Sequence, residues 1–479
     1  MLECILSMII DNAHNKTKCQ KFTPEHLVDT MLDLAEYRFG ICGKKVLENS
    51  FGSGNILSAI VRRYIEDSIR IGHLPETISN NLSNDIYGIE LDKVLFKKCI
   101  DRLNCIIAEY GLPPVQWALF NKDALTWIPA VSFDYIIGNP PYINYKDIDE
   151  NSKIALKSAF SSCSSGKFDY CYAFIEYAIK HLSPNGKLVQ LVPASIYKNV
   201  FGENLRLLLK PHIRVIYEYP GQSLFDNTLT SSTIFLYDKM CDSSCISYKN
   251  LTNGYSIEIP RLSLSGKWVF QNHLSTTAQA IRFGECFHAS IVVATLLNKA
   301  FVMTPNQVAE KQIEKNAIRK AAAPKQLRRK VEEYIIFPYN YSEGSYMRYS
   351  EECFLQQFPH TARHLNDYRE ALNSRDKDPS AQWFEYGRSQ ALLHLNQPKL
   401  LLSTVITNHV EAYLLDADTI PYSGIFITVK NNSYTLEDAK RILQSPDFLA
   451  YVKSLGISVS GKSKRITCKD INNYKFVKE

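Results

Sequence analysis

Residues 44 to 240 alternate between strand-like and helix-like segments, and that alternation restricts the chain to few architectures. Lys45-Val46-Leu47 reads as a short strand before the turn Phe51-Gly52-Ser53-Gly54. Beyond the turn, Ile56, Leu57, Ile60, Val61, Tyr64 and Ile65 recur at helical spacing on one face. Ile86-Tyr87-Gly88-Ile89 reads as a second strand ending at Glu90, and Val94, Leu95, Leu103, Ile106 and Ile107 mark a second helix. Val115 to Phe120 and Phe133 to Gly138 read as further strands. A helix around Tyr172 to His181, a loop Ser183-Pro184-Asn185-Gly186 and a strand Lys187 to Val192 follow, with Thr233 to Tyr237 as a late strand. Strands alternating with helices predict a parallel, doubly wound α/β sheet. The polar stretch Gly72 to Asp85 reads as a surface loop.

A chain of 479 residues exceeds what one core usually serves, so two domains are expected. The alternation stops near residue 245, which sets the expected boundary: one domain over 1–245 and another over 246–479. Hydrophobic content of 45% with 22% charged residues fits a water-soluble globular chain and excludes a disordered one. A net charge of +6 is compatible with a polyanionic partner. No apolar run reaches the length of a membrane span. Met1 to Asp11 carries no basic leader or small-residue cleavage site. The 12 cysteines are scattered, and Cys241 and Cys245 lack a second ligand pair. They read as free thiols of a reducing cytoplasm, with no metal site.

The tetrapeptide Asn139-Pro140-Pro141-Tyr142 follows the apolar strand Phe133 to Gly138, so it stands where open α/β sheets place their chemistry. Two prolines stiffen the loop and remove two backbone donors. The Asn139 amide oxygen and nearby carbonyls remain as acceptors, and Tyr142 offers a flat face. This combination suits a planar ring bearing an exocyclic amino group. Taken alone, a proline-rich turn with a packed tyrosine is the commoner meaning of such a motif.

Other strand ends shift that balance. Gly52 and Gly54 let a backbone approach a ligand closely at a helix N-terminus. The third glycine of a dinucleotide fingerprint is missing. Glu90, at the next strand tip, suits ribose hydroxyls. Asp123, past the strand after that, suits an adenine amino group. Each acid alone reads equally well as a helix cap.

In this order the residues resemble the gamma-class N6-adenine DNA methyltransferases of type II restriction–modification systems. Lys21-Phe22-Thr23-Pro24-Glu25 resembles the N-terminal cofactor motif, and Val46 to Gly54 the glycine-rich motif. Gly88 to Asp92 resembles the ribose-binding strand end, Asn121 to Ala124 the adenine-binding segment, and Asn139 to Tyr142 the catalytic tetrapeptide. Lys167-Phe168-Asp169-Tyr170, Gly186 to Pro193 and Leu224-Phe225-Asp226-Asn227 fit later blocks. The departure is Asn49-Ser50-Phe51, where the family usually carries Pro and Cys or Ala between its acid and its glycines.

The resemblance implies a Rossmann-like methyltransferase sheet followed by a mixed α+β target-recognition domain. It implies S-adenosylmethionine as cofactor, held by Thr23, Glu48, Gly52, Gly54, Glu90, Asp123 and Pro141. Catalysis falls on Asn139, Pro140, Tyr142 and Phe225, the last as a second aromatic against the target base. The implied substrate is double-stranded DNA, with a cognate restriction endonuclease encoded separately.

The C-terminal half resembles the family's target-recognition domain at Ile336-Phe337-Pro338-Tyr339, Phe358-Pro359, Tyr368-Arg369-Glu370, Trp383 to Arg388, Pro398-Lys399-Leu400 and Tyr422-Ser423-Gly424. Its basic stretch, Lys311 to Lys330, reads either as a solvated helix and linker or as a surface for phosphates. N4-cytosine DNA methylation and amino-methylation of protein glutamine or RNA are the alternatives.

Overall fold

The computed structural model describes residues 23–219, 231–270, 280–342, 345–431, 433–459 and 463–477. The chain divides into two compact units, the first ending at Asn272 and the second beginning at His273. Among the described residues, no helix is long and apolar enough to cross a membrane.

The first unit is built on nine strands: β1 (Val46–Glu48), β2 (Ile86–Ile89), β3 (Ala118–Phe120), β4 (Phe133–Gly138), β5 (Leu182–Pro193), β6 (Ile213–Tyr219), β7 (Ser232–Asp238), β8 (Cys245–Asn250) and β9 (Ser256–Pro260). They form one sheet in the order β3-β2-β1-β4-β5-β7-β6-β8-β9. From β3 to β5 all neighbours are parallel. Helices α1 (Glu25–Leu34), α2 (Asn55–Arg70), α3 (Pro75–Asp85), α4 (Lys93–Glu109), α5 (Glu150–Ala159), α6 (Cys171–His181) and α7 (Glu203–Leu209) accompany it.

Alternation along the central strands decides which helices cover which face. Leu47, Ile136 and Leu188 join the core formed with α6. Val46, Ile137 and Val189 join the opposite core, with α1, α2 and α4. Both faces are dry, which is why these strands read as near-continuous apolar runs.

Four sequence expectations change here. The late strand, now β7, runs antiparallel to both β5 and β6, so the sheet is mixed. β7 is buried along its whole length, and such a run reads the same in either direction, so strand polarity left no mark on the sequence. The stretch Gly72 to Asp85 contains α3, with proline in its first turn and Ile78 and Leu82 buried one turn apart. Two apolar residues in eleven positions are a thin stripe, and the polar remainder concealed it. The boundary lies at 272/273 and not at 245/246. β8 pairs with β6, and β9 with β8, extending the sheet past residue 245. The Trp268 amide donates to the Tyr197 carbonyl at 2.9 Å, and their rings stack with centroids 5.7 Å apart. The predicted loop Ser183 to Gly186 is also absorbed, as the first part of β5.

The second unit is α+β. One antiparallel sheet contains Phe287–Ile291, Ile425–Val429, Lys399–Leu402 and Ala412–Leu415. Another contains Val302–Met303, Glu333–Ile336, Ile318–Ala322 and Ile420–Pro421. The aromatic motifs serve its core: Phe337, Tyr339, Trp383, Phe384 and Tyr386 are all buried together. The Tyr386 hydroxyl donates to the Ile336 carbonyl at 2.8 Å. The basic stretch is no continuous helix; it includes the strand Ile318–Ala322 and the short helix Pro324–Arg328.

Candidate active site

The site is assembled at the C-terminal ends of β1, β2, β3 and β4. After β1 the chain makes its glycine turn with Gly52 at φ 55° and Gly54 at φ 82°, both left-handed. Gly54 caps α2. A Cβ at Gly54 would collide with the Cys99 Sγ. Gly54→Ala is therefore expected to destabilise the fold by about 2–3 kcal/mol, from left-handed strain plus overpacking. Adding Cys99→Ala should recover only the overpacking part, as chemical denaturation of the three variants would show. Equal stability of Gly54→Ala and the parent would contradict this.

Glu90, at the end of β2, closes the turn. Its carboxylate accepts from the Gly52 amide and from the Asp92 amide, both at 2.8 Å. Asp92 caps α4, accepting from Val94 and Leu95 amides at 2.8 and 3.0 Å. Burial raises the Glu90 carboxyl above its ordinary value, opposed by those two amides. Glu48 ends β1 with only 2% exposure. Burial pushes its carboxyl well above the usual carboxylate range, and the charge on Glu90 pushes it further. Its Oε2 finds no hydrogen-bond partner among the described residues.

Past β3, the Asn121 side chain donates to the carbonyls of Glu90 and Leu91, each at 2.8 Å, and binds the β2 and β3 ends together. Asp123 accepts from the Leu125 amide at 2.8 Å.

Asn139 to Tyr142 follows β4. The Asn139 Nδ2 donates to the Thr23 hydroxyl at 3.1 Å, which sets the orientation of the amide. The Ser50 hydroxyl donates to the Asn139 backbone carbonyl at 3.2 Å. The loop is thus tied directly to the glycine turn and to the segment before α1. Pro140 is buried, and Pro141 and Tyr142 are half-buried. The Tyr142 hydroxyl donates to the Leu191 carbonyl on β5 at 2.7 Å, which locks the ring's direction.

The Asp169 segment completes the frame. The Tyr170 amide donates to the Ile143 carbonyl at 3.1 Å, and Asn144 bridges to Asp169. Burial pushes the Asp169 carboxyl up to about 6. An unfolded aspartate titrates near about 4, so the folded protein binds more protons between those values. Stability therefore falls as pH rises through that window and levels off above about 6. Asp169→Asn is expected to remove a fall of about 3 kcal/mol, read by urea unfolding between those pH values. An unchanged pH slope would contradict this.

Thr23, Glu48, Gly52, Gly54, Glu90, Asp123, Asn139, Pro140, Pro141 and Tyr142 thus all fall on this one edge of the sheet. Phe225 lies outside the described residues. Ser50, noted in the sequence only as a departure, makes a contact the motif did not show. Asn49 and Gln190 were also missed. Both are buried amides, Asn49 just past the end of β1 and Gln190 on β5 opposite Gly138, and neither finds a hydrogen-bond partner among the described residues. An added Cβ on Gly138 would sit 3.4 Å from the Asn49 Oδ1. Nothing in their spacing distinguishes them from surface amides.

The strand order, with helices covering both faces of the sheet, defines a Rossmann-like α/β fold. Residues 64–225 match the family described as Eco57I restriction-modification methylase.

Among curated relatives, it is 29% identical over 224 residues to the type II methyltransferase M.BstVI of Geobacillus stearothermophilus, covering 44% of this chain and 40% of that one. It is 27% identical over 272 residues to the type II methyltransferase M.HincII of Haemophilus influenzae, covering 53% and 46%. The matches thus span less than half the length of these relatives. The fold resembles that of the type IIL restriction-modification enzyme MmeI in complex with DNA, with TM-score 0.61, 12% identity, 98% of this chain and 65% of that chain covered.

Proposed function

We propose that the protein is a site-specific DNA methyltransferase that acts on N6 of adenine in duplex DNA, with S-adenosylmethionine as methyl donor. The observation that carries the reading is the tethering of Asn139 to Thr23 and Ser50. It fixes the Asn139 loop beside a glycine turn closed by Glu90, and the Asn139 amide oxygen and the Pro140 carbonyl are the proposed acceptors.

The residues present fit the cofactor. Gly52 has open space where a Cβ would stand, and Glu48 has a buried oxygen that no described residue satisfies. Gly52 and Gly54 would admit the cofactor's backbone-facing edge, Glu90 its ribose hydroxyls and Asp123 its adenine amino group. When bound, S-adenosylmethionine supplies a methyl group already activated by a sulfonium.

The target nitrogen is a poor nucleophile because its lone pair is delocalised into the ring. Hydrogen bonds to Asn139 and Pro140 would draw its two protons aside and turn the lone pair toward the methyl. Orientation and preorganised acceptors then account for most of the acceleration. Reaching the nitrogen requires flipping the base out, at a few kcal/mol. Stacking on Tyr142, worth about 1–3 kcal/mol, offsets this. Phe225 is assigned to the other face by resemblance. The restriction–modification designation of the matched family extends the reading to a cognate endonuclease on another chain.

The test is transfer of labelled methyl from S-adenosylmethionine to duplex DNA by purified protein, followed by nucleoside analysis. N6-methyladenine is the expected product. N4-methylcytosine would overturn the choice of base, and label only in RNA or protein would overturn the choice of substrate.

A further inference from the structure

Within the second unit, the helix Pro324–Arg328 and the loop 403–411 border a groove lined by Lys325, Arg328, Thr407, Asn408, His409 and Glu411. Lys325 and Arg328 line one side and are exposed, and Arg329 and Lys330, next along the chain, are exposed as well. On the other, Val405 pairs with Arg465, also exposed, and the Thr407 hydroxyl lies 2.8 Å from that of Ser463. The rim is cationic, and exposed side chains with both donors and acceptors stand within it.

The one carboxylate in the groove is engaged inward. Glu411 accepts from the Arg328 Nε at 2.8 Å and from the Tyr413 hydroxyl at 2.5 Å, and the His409 Nε2 lies 2.9 Å from its other oxygen. It holds Arg328 in one direction while 65% of that side chain stays exposed. A guanidinium oriented in this way loses little freedom when it meets a planar pair of acceptors. In a duplex, that pair is the O6 and N7 edge of guanine in the major groove. Lysines on the same rim suit phosphates, which position the duplex without reading it.

We propose that this groove is a DNA-contacting surface, in which Arg328, clamped by Glu411, reads a guanine edge while Lys325 and Arg465 contact phosphate. The inference rests on the DNA reading above and adds where and how sequence is read. It also splits the basic stretch: Ile318–Ala322 builds a strand, and Lys325 and Arg328 face the ligand.

The test compares wild type, Arg328→Ala, Arg328→Lys and Lys325→Ala for duplex affinity against salt and for methylated motif by modified-base sequencing. Arg328→Ala should lower cognate affinity about 10- to 100-fold and relax one guanine position. Arg328→Lys, which keeps the charge without the fork, should relax the same position. Lys325→Ala should weaken binding on all sequences alike and reduce the salt slope by about 1, with the motif intact. An unchanged motif in both Arg328 variants would overturn the assignment, even if binding weakened uniformly. Absence of methylation by wild type would instead sink the DNA reading itself.

Discussion

Asn139→Ala is expected to lower turnover by about 10²- to 10³-fold, the cost of removing one preorganised hydrogen-bonding group at a reacting centre. Its effect on cofactor affinity should be small, within about threefold, because the Gly52–Glu90 closure does not involve Asn139. The split between the two measurements is informative because Asn139 is held from both sides. Its side chain leans on Thr23, and its carbonyl takes the Ser50 hydroxyl. A residue that served only to support the cofactor turn would lose affinity and turnover together. Steady-state kinetics on duplex DNA with calorimetric titration of S-adenosylmethionine separates the two. A large loss of affinity with normal turnover at saturation would contradict the assignment.

Tyr142 carries the second large effect. Tyr142→Ala removes the face proposed for the extruded base and should cost about 10- to 100-fold in kcat/KM for DNA, from about 1–3 kcal/mol of stacking. Tyr142→Phe keeps the face but loses the hydroxyl's bond to the Leu191 carbonyl. A single neutral hydrogen bond is worth about 1 kcal/mol, so a loss of only a few-fold is expected. If phenylalanine were as damaging as alanine, the tyrosine would act through its hydroxyl, as an anchor of the loop, and not through its ring.

Much of the first unit was legible because its central strands are buried on both faces and its helices carry one apolar stripe. Those two patterns are local, so they survive in a linear reading. The strand-end positions were legible for the same reason: Glu90 and Asn139 each follow directly on an apolar run.

What escaped depends on long-range pairing. Thr23 and Asn139 are 116 residues apart, and Tyr142 and Leu191 are 49 apart. Ser50 looked like a lapse from a motif, yet its hydroxyl ties the glycine turn to the loop at Asn139. The reversal of β7 and the capture of β8 and β9 are decided by edge pairing, which burial patterns do not encode. In the second unit, aromatic residues that look suited to stacking on bases are buried in the core. The exposed groove is lined instead by ordinary Lys, Arg, Asn and Thr, whose clustering appears only after folding.

The central claim is that Asn139 to Tyr142 methylates an amino group on a DNA base. Modified-base sequencing of DNA from cells expressing the wild type beside Asn139→Ala tests it most directly. The account predicts N6-methyladenine at one short recurring motif with the wild type and its near-complete loss with the variant. Equal methylation from both proteins, or no modified adenine with a folded wild type, would contradict it.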